Sequence, residues 1–391
     1  MYEDIKLKYA VSRRMFIKQL SCAAFSLGLM PLPAQTAFKI SRGTAYAATS
    51  EQLKEVMFYK KLPDLKVACE ICPKNCTIAD LERGYCGNKE NRGGIYYTLI
   101  YSRPCAAHID PIEKKPLFHC LPSTRAFSIA TAGCNFECRF CQNWNIAQYR
   151  PEQIENMNIS PEEVAAAARR QGCATIAYTY SEPVVFYEYM YDCARAGKKA
   201  GIGSVMISNG YINEEPLRVL CKQLLAVKID LKSFSDKFYR DYCSGELAPV
   251  LKSLQVLKEL GMWFEIVVLV IPTLNDSPAE IKEMVQWIYK NLGPDVPLHF
   301  SRFHPMYKIK NLPPTAVNTL ETCHKIAQAA GLRFVYIGNV PGHPAENTYC
   351  PRCRKILIQR MGYAIIKNEI NDGKCSCGHP IPGIWKLPAS L

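Results

Sequence analysis

Three cysteines in one short stretch are the residues of this sequence best suited to chemistry. Cys134, Cys138 and Cys141 have C-x3-C-x2-C spacing within T-A-G-C-N-F-E-C-R-F-C-Q-N-W, which begins at Thr131. Three thiolates this close together fit a [4Fe–4S] cluster, whose irons take ligands from several directions. The stretch holds no fourth cysteine, so one iron would remain open. The alternative is a structural zinc site with a ligand from elsewhere, or three buried thiols.

An open iron can be chelated by the amino and carboxylate groups of S-adenosylmethionine. An electron passed through the cluster then splits the sulfonium into methionine and a 5′-deoxyadenosyl radical, which abstracts hydrogen from a substrate. The sequence therefore predicts Cys134, Cys138 and Cys141 as catalytic cluster ligands. Phe140, just before the last of them, is predicted to contact the cofactor.

The pattern of the middle section predicts a scaffold for this loop. Seven β-rich runs alternate with segments of helical periodicity. The runs are 126–131, 174–180, 203–208, 226–231, 263–271, 297–303 and 334–338. One helix start is explicit, because Ser160, Pro161 and Glu163 match a capping box with proline in the first turn. Six βα units and a trailing strand predict an α/β fold, a parallel sheet curled by right-handed crossovers into a partial (βα)6-type TIM barrel.

Ligands of such sheets lie at the carboxyl ends of the strands, where several polar residues of this sequence fall. Glu182, in T-Y-S-E-P, could accept hydrogen bonds from the cofactor's ammonium group. Asn209 follows the third run, in S-N-G. Asp230 and Lys232 alternate onto one face of the fourth run, so they can point into the barrel together. We expect these four residues to bind the cofactor; the alternative for the last two is a barrel-lining salt bridge.

Three polar residues accompany the sixth run, in P-L-H-F-S-R-F-H-P. His299, Arg302 and His304 could orient a carboxylate or phosphate of the substrate. The equally weighted alternative is that they are structural groups with satisfied hydrogen bonds.

Four further cysteines form what we call the N-terminal set. They are Cys69, Cys72, Cys76 and Cys86, in C-x2-C-P-x2-C-x9-C. This spacing fits a tetrahedral zinc site with four thiolates. A second iron–sulfur cluster is the stronger rival, because the spacing resembles ferredoxin runs. Disulfides are the weaker rival.

Another four cysteines form the C-terminal set. They are Cys350, Cys353, Cys375 and Cys377, with a β-rich stretch between the two pairs. Two cysteine turns that clamp one metal at the end of a hairpin are typical of a zinc ribbon. The second pair is C-x-C rather than C-x2-C, which makes its ligand geometry less regular. We expect a structural zinc that closes the C-terminus over the barrel rather than a nucleic-acid binder.

Residues 1–47 have the pattern of a twin-arginine (Tat) signal peptide. Arg13 and Arg14 are adjacent, residues 19–38 are mostly apolar, and Ala45-Tyr46-Ala47 offers small residues for cleavage. The pattern predicts export to the periplasm or cell envelope. The alternatives are a chance Arg-Arg before an amphipathic helix, and a cytoplasmic protein that keeps an unprocessed signal.

The composition excludes several classes of protein. With 391 residues, 48% of them hydrophobic, the chain is too long and too apolar to be a disordered linker. The net charge of +13 suggests nucleic-acid binding at first sight. However, residues 1–47 hold seven basic and two acidic side chains, and metal-bound thiolates would offset much of the remainder. No nucleic-acid partner is expected.

Several of these stretches together resemble one family. The N-terminal C-x2-C-P-x2-C…G-Y-C-G-N, TAGCNFECRFCQNW, TYSEP, SNGYI, KIDLK, HFSRFHPMYK and the closing GN…CPRC…CSCGHPIPGIW are similar to the AmmeMemoRadiSam-system radical SAM enzymes. These are relatives of pyruvate formate-lyase activating enzymes, and the resemblance covers about residues 60–387. It implies that Glu182 matches a Gly-Gly-Glu-like motif that holds the cofactor's ammonium. It also implies that Asp230 and Lys232 match a cofactor-contacting D-x-K segment.

The resemblance also implies partners and a reaction. A one-electron donor of flavodoxin or ferredoxin type would reduce the cluster, and Memo-like and AMMECR-type proteins are expected partners. We expect hydrogen abstraction from a protein or peptide-like substrate, in the manner of an activase. The alternatives are modification of a small molecule, and an exported iron–sulfur electron carrier without chemistry of its own.

The expected domain organisation follows the cysteine sets. The signal peptide occupies residues 1–47 and the N-terminal four-cysteine segment residues 48–120. The radical SAM core occupies residues 121–340, and the zinc-ribbon-like segment occupies residues 341–391.

Overall fold

The computed structural model describes residues 53–388, which begin with a segment of short antiparallel strands. The strands are β1 (Lys54–Glu55), β2 (Tyr59–Lys61), β3 (Val67–Cys69), β4 (Thr77–Ile78), β5 (Lys89–Arg92) and β6 (Ile95–Thr98). They pair in the orders β1-β6-β5 and β2-β3-β4. The turns and ends of these strands carry the N-terminal set. The predicted signal peptide lies outside the described residues.

Within residues 53–388, the central sheet has eight strands. They are β7 (Ala106–Pro111), β8 (Arg125–Ala130), β9 (Thr175–Tyr178), β10 (Gly203–Ser208), β11 (Ala226–Asp230), β12 (Trp263–Val270), β13 (Leu298–Arg302) and β14 (Val335–Gly338). The strands lie in chain order, from β7 at one edge to β14 at the other, and β8 to β14 are parallel. The predicted α/β fold with a parallel sheet is confirmed, and each predicted run agrees with its strand to within two residues at either end.

Strand β7, which is not predicted from the sequence, runs antiparallel to β8. Its residues, A-A-H-I-D-P, are largely half-buried or exposed, as expected of an edge strand that ends in proline. The strands that are buried on both faces are mostly apolar instead, with single polar residues such as Glu265 and His299 inside them. Residues 106–111 lie inside the predicted N-terminal segment, but they pair with the sheet of the barrel.

Helices follow the strands of the central sheet. They are α1 (Trp144–Ala147), α2 (Pro161–Arg170), α3 (Tyr187–Lys199), α4 (Glu214–Cys221), α5 (Asp236–Phe238), α6 (Leu247–Glu259), α7 (Pro278–Leu292) and α8 (Val317–Ala329). The predicted capping box begins α2, where the Glu163 N–H donates to Ser160 Oγ at 3.3 Å and the Ser160 N–H donates to Glu163 Oε2 at 2.7 Å. A search of the described helices finds none with the length and apolar character of a membrane span.

A small antiparallel sheet closes the described chain. Its strands are β15 (Thr348–Tyr349), β16 (Ile356–Met361) and β17 (Ala364–Asn368). The two pairs of the C-terminal set flank the β16–β17 hairpin, one between β15 and β16 and one after β17. This is the hairpin that the zinc-ribbon pattern predicts.

A buried polar network joins the barrel to the C-terminal hairpin. Glu265, on β12, accepts hydrogen bonds from the N–H groups of Phe118 (3.0 Å) and His119 (2.8 Å) and from Nε2 of His299 (2.8 Å). The Arg360 guanidinium, on β16, donates to the carbonyl of Phe118 at 2.9 Å. Because buried polar groups without partners are costly, the network ties these segments together.

Replacing Glu265 with Ala is expected to lower the free energy of unfolding by about 2–4 kcal/mol, because several buried donors lose their acceptor. The control is Glu259→Ala, since Glu259 forms only a partly exposed ion pair with Arg218, a type worth about 0–1 kcal/mol. Chemical denaturation of equally metal-loaded proteins measures both effects. Equal stability of the two variants would contradict the structural role of Glu265.

Candidate functional site

The cluster loop, residues 131–144, leaves the carboxyl end of β8 and is held by a distant turn. The N–H of Glu137 donates to the carbonyl of Cys243 at 2.9 Å. Inside the loop, the N–H of Phe136 donates to Sγ of Cys134 at 3.3 Å. Such a donor stabilises an anionic sulfur, as the ligand of a cluster must be.

Gly133 sets the direction of the chain immediately before Cys134. Its φ is +90°, in the left-handed region that favours glycine, and a Cβ there would lie 2.4 Å from Nδ2 of Asn88. The same amide donates to the carbonyl of Ala132 at 2.6 Å. The N-terminal segment therefore holds the cluster loop from one side.

Burial governs the ionisation of the three predicted cluster ligands. It raises the pKa of Cys134, and it raises the pKa of Cys141 to about 11. Cys138 differs, because a hydrogen bond with the thiol of Cys243 lowers its pKa. A bound metal would favour the thiolate form of all three residues.

Phe140 is buried, with 3% of its surface exposed. Its ring packs against that of Phe238 with centroids 5.8 Å apart. The side chain therefore supports the loop from the core, and its contact with a cofactor stays a prediction.

Glu182 lies between the ends of β9 and β10 and accepts three hydrogen bonds from the chain. Its Oε1 accepts from the Val184 N–H (3.1 Å) and the Ser208 hydroxyl (2.6 Å), and its Oε2 accepts from the Asn209 N–H (2.8 Å). Burial raises the pKa of Glu182 to about 7, although these hydrogen bonds oppose the rise. Within residues 53–388, Glu182 forms no ion pair. A cationic group placed beside it would stabilise the carboxylate.

Asn209 joins the end of β10 to the cluster loop. Its Nδ2 donates to Oδ1 of Asn135 at 2.8 Å, and the Asn135 amide donates to the carbonyl of Tyr211 at 2.8 Å. Asn135 directly follows Cys134. The structure thus brings Asn209 and Glu182 together beside the first cluster ligand.

Asp230, the last residue of β11, lies beside Lys232, two residues further on, as their alternation predicts, and Lys228 joins them. Lys232 Nζ lies 3.0 Å from one carboxylate oxygen of Asp230, and Lys228 pairs with the other. Burial alone would raise the pKa of Asp230, but the two ammonium groups lower it to about 2. The barrel-lining salt bridge is therefore present, and it leaves one positive charge in excess.

Three residues of this site are not predicted from the sequence. Ser208 hydrogen-bonds to Glu182, Lys228 pairs with Asp230, and Cys243 contacts Cys138. Alternation along β11 could have identified Lys228, because it stands two residues before Asp230. A lone cysteine such as Cys243 carries no local signal.

The structure separates the residues of the sixth run. His299 is 2% exposed and belongs to the network of Glu265, away from the carboxyl end of β13. Its role is therefore the structural alternative rather than substrate binding. Arg302, at the end of β13, donates through Nε to the carbonyl of Thr315 at 2.8 Å, while His304 is exposed.

The C-terminal set fits a single metal ion. All four Sγ atoms lie within 4.8 Å of one another. Cys350 is 3.6 Å from Cys377, and Cys353 is 3.6 Å from Cys375. Zinc–sulfur bonds of about 2.3 Å hold the sulfurs of a tetrahedral site at about this separation.

Two proteins of Methanocaldococcus jannaschii are similar to this chain over most of its length. The uncharacterized protein MJ0808 is 46% identical over 332 residues, which are 84% of this chain and 99% of that protein. The uncharacterized protein MJ0674 is 27% identical over 279 residues, which are 68% of this chain and 75% of that protein.

Solved structures with similar folds include two of lower identity. One is a domain of a pyruvate-formate lyase-activating enzyme from Bacteroides vulgatus, with 17% identity and a TM-score of 0.38, covering 42% of this chain and 99% of that chain. Another is SuiB from Streptococcus suis bound to S-adenosylmethionine, with 13% identity and a TM-score of 0.44, covering 58% of this chain and 53% of that chain.

A family model decides the assignment. Residues 128–288 match the model of the radical SAM superfamily. The chain therefore contains a radical SAM domain. The matched region begins in β8 and ends in α7, so this radical SAM domain contains the cluster loop and the residues from Glu182 to Lys232.

The site fits the two groups that radical SAM enzymes use, a [4Fe–4S] cluster and S-adenosylmethionine. Cys134, Cys138 and Cys141 offer three thiols in one loop at the carboxyl edge of the sheet. Glu182 offers a buried carboxylate without a cation, and Lys232 lies on the neighbouring strand end with the excess positive charge. A zwitterionic amino acid group would complement both charges.

Replacing Glu182 with Ala is expected to weaken S-adenosylmethionine binding by about 1.5–3 kcal/mol, the contribution of a hydrogen bond to a charged group, while the cluster remains. The control is Glu162→Ala in the exposed first turn of α2. Anaerobic calorimetry measures both affinities, and iron analysis checks cluster loading. Unchanged affinity in the Glu182 variant would limit this residue to a structural role.

Proposed function

We propose that this radical SAM enzyme belongs to the AmmeMemoRadiSam system and abstracts a hydrogen atom from a protein or peptide-like substrate, as an activase does. When bound, the [4Fe–4S] cluster and S-adenosylmethionine supply the carbon radical for this step. The observation that carries the proposal is the convergence of three thiols, a buried carboxylate and an unbalanced lysine at one edge of the sheet.

Each of these residues has a role in the proposal. Cys134, Cys138 and Cys141 hold the cluster. Glu182 accepts a hydrogen bond from the ammonium group of S-adenosylmethionine, in an orientation that its three donors fix. Lys232 faces the carboxylate of the same molecule, because its own pair with Asp230 is shared with Lys228.

A surface beside the cluster loop supports a protein substrate. Trp144 stacks on Tyr307 with centroids 5.3 Å apart, and Tyr149 continues the row at 6.2 Å from Trp144. The N–H of Lys308 donates to the carbonyl of Arg139 at 3.0 Å, so this row is attached to the loop. Aromatic side chains are enriched in protein interfaces.

A second candidate function is the modification of a small anionic molecule. Lys115 is 2% exposed and lies 2.5 Å from Asp110 and 4.4 Å from the ring centroid of Tyr180. Burial lowers the pKa of Lys115 to about 8, although Asp110 opposes the change. Together with Lys228, this lysine gives the inner face of the sheet cationic groups that favour an anionic substrate.

The proposal includes partners and a structural metal. A one-electron donor of flavodoxin or ferredoxin type reduces the cluster, and Memo-like and AMMECR-type proteins act in the same system. Zinc occupies the C-terminal set and holds the hairpin, whose Arg360 reaches the barrel.

A trapping experiment tests the proposed reaction. The dithionite-reduced protein is examined by electron paramagnetic resonance with and without S-adenosylmethionine, and 5′-deoxyadenosine is measured by mass spectrometry. We expect a spectral shift with S-adenosylmethionine, and deuterium in 5′-deoxyadenosine when the candidate partner protein is supplied in deuterated form. Cys138→Ala is the inactive control.

Two results would count against this reaction. The absence of both the shift and 5′-deoxyadenosine would contradict radical SAM activity itself. Deuterium transfer from a small anionic molecule, with none from any partner protein, would favour the second candidate function.

We also propose that the protein is exported by the Tat route. The receptor for that route recognises paired arginines, and lysine presents a point charge where arginine presents a planar fork. The double variant Arg13→Lys/Arg14→Lys should therefore remain in the cytosol at full length, while the wild type is found outside the inner membrane and shortened after about Ala47. Cell fractionation with immunoblotting measures this. Identical, uncleaved cytosolic protein in both cases would refute export.

A further inference from the structure

The four thiols of the N-terminal set surround a cavity. Its empty space is about 350 Å³ including the mouth, and all four cysteines line it.

The separation of the thiols distinguishes a single ion from a cluster. Within residues 53–388, the C-terminal set is the one group of cysteines whose sulfurs all lie within 4.8 Å of one another. A tetrahedral zinc site requires that closeness. The N-terminal set does not have it, and neither do Cys134, Cys138 and Cys141, which hold a [4Fe–4S] cluster in the proposed function. The irons of a cubane lie at alternate corners of a cube that is larger than a single zinc ion. The cysteine sulfurs that bind a cubane are therefore further apart than those of a zinc site.

The walls of the cavity suit an anionic group. The N–H of Tyr85 donates to Sγ of Cys76 at 3.4 Å. The ammonium of Lys89 is 2% exposed, lies in the wall, and pairs with Glu188 at 3.1 Å. N–H···S hydrogen bonds and nearby charge are the means by which a protein adjusts the potential of an iron–sulfur cluster.

One residue connects this cavity to the cluster loop. Asn135 lines the cavity together with Cys72, and it directly follows Cys134 in the chain. On the other side, Asn88, two residues after Cys86, donates to the carbonyl of Ala132. The side chains of Asn135 and Asn88 therefore connect the N-terminal set to the cluster loop.

We propose that the N-terminal set holds a second [4Fe–4S] cluster, ligated by all four thiolates, which passes single electrons from a reduced donor protein to the cluster at Cys134, Cys138 and Cys141. The donor loses one electron, the second cluster changes from 2+ to 1+, and it returns to 2+ when the first cluster is reduced. No covalent bond forms or breaks. The relay rests on the proposed function, whereas the presence of a second cluster does not.

Removal of the first cluster isolates the second. The variant Cys134→Ala/Cys138→Ala/Cys141→Ala of the full chain is purified and reconstituted without oxygen, then analysed for iron, sulfide and zinc. We expect about four irons, four sulfides and one zinc per chain. A dithionite-induced electron paramagnetic resonance signal should remain and should not respond to S-adenosylmethionine. Cys323→Ala, a buried cysteine of α8 outside the three sets, is the control and should keep about eight irons.

Several results would overturn the second cluster. Two zinc ions and no iron in the triple variant would show a zinc site, and disulfides in its non-reducing peptide map would show cross-links. If the triple variant does not fold, the wild type decides, because a Mössbauer count of about four irons in place of about eight contradicts the proposal. The wild-type response to S-adenosylmethionine tests the proposed function independently.

The relay has its own test. The variant with Ser at all four positions of the N-terminal set should keep the S-adenosylmethionine-responsive signal after reduction by dithionite. Reduction by a flavodoxin or ferredoxin should be lost in this variant. Reduction by the donor protein at the wild-type rate would overturn the relay.

Discussion

The side chain of Asn135 is the contact on which the arrangement of the site depends. Its amide donates to the carbonyl of Tyr211, its oxygen accepts from Asn209, and it lines the cavity of the N-terminal set. A buried amide whose nitrogen and oxygen are both hydrogen-bonded permits few alternative positions. The cluster loop, the end of β10 and the N-terminal segment are consequently ordered together. Glu182 follows from the same arrangement, because the Asn209 N–H is one of its three donors.

Charges near the site are unbalanced until ligands bind. Glu182 is a buried carboxylate without an ion pair, and Lys228 and Lys232 share the single carboxylate of Asp230. Removal of charges from water is costly unless opposite charges compensate. A zwitterion that supplied an ammonium group to Glu182 and a carboxylate to Lys232 would relieve both costs. Because a ligand that binds only the folded state stabilises it, cofactor loading and folding stability should be coupled.

The sequence was informative where a signal is local. Strands β8 to β14 were predicted because strands buried on both faces have short, mostly apolar β-rich runs. Spacing within one loop suggested Cys134, Cys138 and Cys141 as cluster ligands, and its place after a strand suggested Glu182 as a cofactor ligand. Strand β7 was not predicted because an edge strand needs no apolar run. Contacts between distant segments, such as that of Cys243 with Cys138, or of His299 with Glu265, leave no mark in either neighbourhood. The structural role of His299 could not be predicted for this reason, since it depends on the hydrogen bond with Glu265.

The link between Arg360 and Phe118 has a consequence for the order of events during synthesis. The two residues are 242 positions apart, so this contact can form only after residue 360 has been synthesised. Contacts between such distant positions form slowly, since a long loop must close before they stabilise anything. Until this contact forms, the domain is incompletely folded, and the thiols of the cluster loop are exposed to oxidation. Metal insertion is therefore expected only after Arg360 has left the ribosome and reached Phe118.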